Sequence, residues 1–293
     1  MSQSRHRLKE PLERLYREFD YAGRIQRDAI QFPLRYPEPG DREVVALLTA
    51  CLAYGRVELF SRELEKVFHV MGPHPAAFIE GFDPKTDGRR FSHFRYRFNR
   101  PRDIAAFCLA VQRILAAHGS LRAYFLKGYS ESDRDVSPAL EQFVQGILEQ
   151  DLSPVFPGGR LSRGFRHLFP KPSTGGPCKR LHLFLRWMVR RDHLDFALWP
   201  EVSPAKLIIP LDTHIANMSR AIGLTRLRSH TSRMAKQITE SLRLLDPDDP
   251  VKYDFALCHK RMSGDCPGKR DPVGCRPCGL RSVCRHWRGI SVD

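Results

Sequence analysis

The sequence predicts an all-α protein. Apolar residues recur at three- and four-residue spacing along most segments, and the alternation expected of strands is weak throughout. The 293 residues suffice for one large domain or two modest ones around a buried core. The chain closes on a cysteine-bearing loop with few apolar residues, which burial alone would not fold.

The elements follow in order. Leu8, Leu12, Leu15, Tyr16 and Phe19 share one face of an amphipathic helix over residues 8–27. Pro33, Pro37, Pro39 and Gly40 mark residues 31–40 as a linker. Asp41 is placed to cap a helix over 42–54, whose apolar content predicts deep burial. Residues 58–71, 103–117 and 140–152 read as further helices. Residues 72–99 are mixed, and 91–98 alternate basic with aromatic side chains. From 153 to 176 prolines and glycines dominate, leaving room for a short helix near 162–168. Leu181, Phe184, Leu185, Trp187 and Met188 make residues 179–191 a central apolar helix, with Trp187 in the core. Helices are expected over 213–222 and 231–245, then over 251–257 after the turn D-P-D-D-P.

Composition narrows the function. Hydrophobic residues make up 42% and charged residues 28%, the balance of a soluble globular protein. A formal net charge of +15 fits a polyanionic partner such as DNA, RNA or an anionic membrane face. The longest apolar stretch, near 181–189, is broken by Arg186 and is far short of the roughly 20 residues a membrane span needs. No apolar segment follows the polar first residues, so no signal peptide is expected. The expected location is the cytoplasm, beside the nucleoid.

Five of eight cysteines fall in the last 36 residues, which reads as a metal site rather than a disulfide scaffold. Cys266, Cys275, Cys278 and Cys284 are spaced C-x8-C-x2-C-x5-C. Four thiolates there suit one tetrahedral zinc or one iron–sulfur cluster, and the spacing does not separate the two. Cys51, Cys108 and Cys258 read as packing residues. From Cys258 onward eight Lys or Arg, among them Lys269, Arg270, Arg276, Arg281 and Arg288, make the tail either a phosphate-contacting surface or a solvated charged face.

Two further segments carry candidate chemistry. In P-L-D-T-H-I, Asp212 stands at a helix N-terminus, where a carboxylate caps free N–H groups; a plain N-cap and a catalytic carboxylate both fit. Ser173-Thr174-Gly175-Gly176-Pro177-Cys178-Lys179-Arg180 leads into the apolar helix, either as a phosphate-binding turn or as an ordinary connection.

Together these residues resemble the helix–hairpin–helix DNA glycosylase superfamily. Its endonuclease III and adenine-mismatch branches end in a four-Cys iron–sulfur loop whose last two gaps match this chain. The first gap is six residues there and eight here. The family's hairpin, L-P-G-x-G, is here replaced by Thr174-Gly175-Gly176-Pro177, and Lys179 follows it where bifunctional members carry a lysine. The resemblance is clear over about residues 173–284 and fainter over 43–68; residues 72–170 have no placed counterpart. The segments K-R-L-H-L-F-L-R-W-M-V-R and D-P-D-D-P-V-K-Y-D-F-A-L also resemble a family of bacterial proteins without established function.

The resemblance implies two helical lobes with a cleft between them and a C-terminal cluster loop. Residues 41–191 would form the lobe ending in the hairpin and the Lys179 helix. Residues 1–40 with 192–293 would form the second, carrying Asp212 and the four-Cys loop. It further implies a monomeric DNA repair glycosylase with lyase activity, acting on a damaged or mispaired base in double-stranded DNA. Lys179 and Asp212 would be catalytic. Gly175, Gly176, Arg180, Lys269, Arg270, Arg276 and Arg281 would contact DNA, and Cys266, Cys275, Cys278 and Cys284 would hold a [4Fe–4S] cluster, with zinc the alternative. The seven Lys and Arg from Arg166 to Arg191 would serve DNA contact and depress the Lys179 pKa. A non-catalytic DNA- or RNA-binding protein on the same scaffold is the other main reading, and an unrelated metalloprotein a third.

Overall fold

Helices begin where a proline or a side-chain cap meets the N–H groups that have no intrahelical partner. The computed structural model describes residues 3–287; Arg288, counted in the basic tail, lies outside them. Thirteen α-helices form among the described residues: α1 Gln3–Glu18, α2 Ala22–Ile25, α3 Pro39–Leu52, α4 Val57–Met71, α5 Pro75–Glu80, α6 Pro101–His118 and α7 Leu121–Leu126, then α8 Ser137–Leu148, α9 Arg163–Leu168, α10 Lys179–Val189, α11 Thr213–Ile222, α12 Ser232–Arg243 and α13 Asp254–Met262. No strand forms among those residues, only the isolated bridges Tyr96–Asn99 and Arg191–Phe196. The all-α expectation holds.

Prolines open α3, α5 and α6. Ser120, Ser162, Asp212 and Thr231 cap α7, α9, α11 and α12 through their side-chain oxygens. The central packing is α10 against α3, and α11 packs as closely on α13. Trp187 is fully buried, as expected, and one apolar cluster runs from Leu8 to Leu280. Cys51 and Cys108 lie in this core, and burial pushes the Cys51 thiol up to about 12.

Three expectations change. The first helix stops at Glu18, because the Asp20 carboxylate accepts from Gly23 N (2.9 Å) and turns the chain. Asp41 sits inside α3 rather than capping it; its Oδ1 accepts from Ala76 N (2.7 Å) and ties α3 to α5. The last helix starts at Asp254, not at 251. Lys252 reaches back to Asp246 (2.6 Å) and Tyr253 donates to Glu13 (2.5 Å), which holds 251–253 as a turn.

Candidate active site and four-cysteine pocket

Asp212 is held by the N-terminus it caps. Its Oδ1 accepts from Ile215 N (2.9 Å), while Oδ2 faces α13 and accepts from Cys258 Sγ (3.6 Å). The residue as a whole is half-buried. Cys258 packs against the core as expected and also donates to Asp212. It lies four positions after Asp254, one turn along the same face of α13.

Asp254 is 4% exposed. Its Oδ2 accepts from Arg186 Nη1 (2.5 Å), and its Oδ1 is buried with no hydrogen-bond partner among the described residues. Burial pushes its carboxyl up, opposed by Arg186; Asp212 raises it further and Lys179 lowers it. Burial also pushes the Cys258 thiol well up, again with Asp212 and Asp254 raising it and Lys179 lowering it. Asp212 thus meets α13 directly at Cys258, and Arg186, on the helix that Lys179 opens, holds Asp254 one turn before it.

Lys179 opens α10 and is half-buried. The loop before it takes a 3-10 turn over Pro172–Thr174, and Gly175 follows at φ 78°, in the left-handed region that glycine tolerates. The carbonyl of Gly175 accepts from Ser232 N (3.0 Å), pinning the loop to the start of α12. Cys178 takes φ 45°, which costs a non-glycine residue roughly 1–2 kcal/mol. Its thiol donates to Pro170 O (3.5 Å).

The cations of α10 do not all face outward. Arg180 is buried, lies over the Tyr54 ring (5.2 Å), and donates to the carbonyls of Cys51 and His167. Its guanidinium braces α10 instead of presenting itself to a phosphate. Arg186 and Arg190 are each 2% exposed. Arg186 pairs with Asp195 (3.3 Å) and Asp254, and Arg190 pairs with Asp195, Asp192 (2.8 Å) and Asp249 (2.9 Å). These two arginines neutralise buried carboxylates, so they are not DNA contacts. Asp254, Cys258 and the arginine pairs are the site features that the local motifs did not reveal.

Cys266, Cys275, Cys278 and Cys284 all line one pocket, floored by Met218, Ala221 and Ile222 of α11. Burial raises the Cys284 thiol, and the other three thiols add to the rise. Two N–H donors in this wall, Arg281 Nε and Trp287 Nε1, are buried without acceptors among the described residues. Four sulfur donors and two unanswered N–H groups fit an iron–sulfur cluster, whose sulfurs take thiolate ligands and accept such hydrogen bonds. Among the described residues no group of three or more His, Cys, Asp or Glu is arranged to hold a single metal ion. Arg270 and Arg281 each lie over the Trp287 ring in the pocket's wall (4.9 and 4.0 Å). Lys269, Arg270 and Arg276 are exposed, and Arg281 is half-buried.

A family model described as a protein of unknown function, DUF2400, matches residues 28–263. No curated protein and no solved structure matches the chain. No helix of the described residues is long and apolar enough to cross a membrane.

Proposed function

The chain belongs to the DUF2400 family. On the residues of its site we propose that it is a DNA glycosylase with lyase activity, built as a helix–hairpin–helix enzyme with a C-terminal [4Fe–4S] loop. One observation carries this reading. Asp212, capping α11, accepts from Cys258 of α13 (3.6 Å), and α10, which the half-buried Lys179 opens, holds Asp254 of α13 through Arg186 (2.5 Å). In this reading α9, the glycine turn and α10 form the hairpin unit, and the substrate is a base flipped from damaged or mispaired duplex DNA.

The chemistry suits these groups. Breaking the C1′–N bond sends its electron pair out with the base and leaves positive charge on the sugar. The Asp212 carboxylate stabilises that charge. The Lys179 amine then bonds to C1′ and, as the ring opens, becomes a Schiff base, which permits β-elimination of the 3′ phosphate. The amine must first lose a proton. Asp254 Oδ1, buried and without a partner among the described residues, is the acceptor this reading assigns to it.

The four cysteines would hold the cluster, which would organise a loop that has little apolar surface of its own. Its place against α11 links it to Asp212, the cap of that helix.

The test is borohydride trapping on duplexes that carry uracil, oxidised purine, oxidised pyrimidine, a mismatch or an abasic site. The wild type is expected to trap on at least one. Lys179→Ala is expected to abolish trapping, and Asp212→Asn to slow base release by about 10²-fold or more while binding persists. Binding of every duplex with no trapping and no base release would instead favour a non-catalytic DNA-binding protein. Cleavage by both variants at the wild-type rate would refute the site.

A further inference from the structure

Two stretches of the chain hold no acidic residue. Residues 88–102 contain six arginines, and residues 152–191 contain nine Lys or Arg. The fold brings these stretches together. Asn99 Nδ2 donates to Gly164 O (2.9 Å), and the Phe98 and His167 rings meet at 4.3 Å. Tyr54 completes the cluster, stacked on Phe98 at 5.8 Å and 21° and set edge-on to His167 at 4.8 Å.

Guanidinium groups surround these rings. Arg97 lies over Tyr54 (5.9 Å) and Arg163 over Phe98 (5.5 Å). Arg166 is one turn further along α9, and Arg100 donates to Arg97 O (2.6 Å). All four arginines are exposed, and none makes an ion pair with a described residue. The crowding of positive charge is felt locally: burial, then Arg180 and Arg163, push the His167 imidazole down to about 4. The buried Asp103 carboxylate nearby is taken by Arg100 N (2.8 Å) and Ser162 Oγ and pairs with none of the four guanidinium groups; like charges so gathered repel, and a polyanion relieves that repulsion.

We infer that this face, centred on Arg97, Arg100, Arg163 and Arg166, is a second DNA-contacting surface, which carries the phosphate backbone of the strand running past Lys179. It deepens the glycosylase reading and rests on it for the direction of the strand. Continuity supports the placement. Arg180, the residue after Lys179, reaches into the same cluster through Tyr54 and the His167 carbonyl.

Fluorescence anisotropy on a labelled duplex with a tetrahydrofuran abasic analogue tests the surface, over a series of salt concentrations. The variant combines Arg97→Gln, Arg100→Gln, Arg163→Gln and Arg166→Gln; its circular dichroism and melting temperature report that it folds. The expected result is weaker binding, by at least tenfold at low salt. The slope of log K against log salt should become shallower by about 0.9 for each phosphate that the variant no longer neutralises. Unchanged affinity and slope in a folded variant would overturn the inference. Failure of the catalytic reading is distinguishable: a wild type that traps nothing, alongside a variant that loses binding, keeps the surface and removes the chemistry. A wild type that traps, alongside a variant that binds as well as it does, removes the surface alone.

Discussion

Asp254 uses its two carboxylate oxygens differently. One is fixed on Arg186, and the other is buried beside the proposed reaction centre without a partner among the described residues. Burial raises its pKa, so the proton stays on to a higher pH than on an ordinary aspartate. In the proposed mechanism only the ionised Asp254 accepts a proton from Lys179. Trapping by the wild type should therefore fall on the acid side, with a midpoint above the usual carboxylate range. Asp254→Asn should lower the trapping rate at neutral pH by about 10²-fold and remove that acid limb, leaving activity to recover only at alkaline pH. A uniform loss at every pH, with the profile unchanged in shape, would mark Asp254 as structural. Lys179 and Asp212 could be read from the sequence because each sits in a local motif, G-G-P-C-K and P-L-D-T-H-I. Asp254 and Cys258 could not. Their i, i+4 spacing is visible in D-F-A-L-C, but their meeting with Asp212 needs the packing of α13 on α11.

Element by element, the periodic helices were legible and their ends were not. Residues 213–222 were the exception, legible to the residue, since Asp212 caps one end and Gly223 closes the other in a left-handed turn. The breaks at Glu18 and before Asp254 depend on side chains that bond across turns or to distant helices, which periodicity does not record. The four-Cys loop acts at this scale. It leaves α13 at Cys266, whose N–H donates to Lys260 O (2.9 Å), and covers Met218, Ala221 and Ile222 of α11. If the proposed cluster is held there, Cys278→Ser should lose iron and lower the melting temperature, since the loop has little else to hold it. Iron content, absorbance near the thiolate-to-iron band and a thermal scan measure this. A stable variant with full metal content would remove Cys278 from the ligand set.

For the whole molecule, a charge of +15 does not by itself say where the positive surface lies. The fold divides the cations. Arg180, Arg186 and Arg190 turn inward to carbonyls and buried carboxylates, while Arg97, Arg100, Arg163 and Arg166 remain outside without acidic partners among the described residues. Composition weighs both groups alike because burial is a property of the folded chain. The same folding sets the Asp212 carboxylate against α13, to which the helix opened by Lys179 is tied through Arg186 and Asp254. Peptide mass spectrometry of the borohydride-reduced protein–DNA adduct tests that convergence most directly. The deoxyribose remnant should map to Lys179. A remnant on any other residue, or no covalent species on any lesion duplex, would contradict the account.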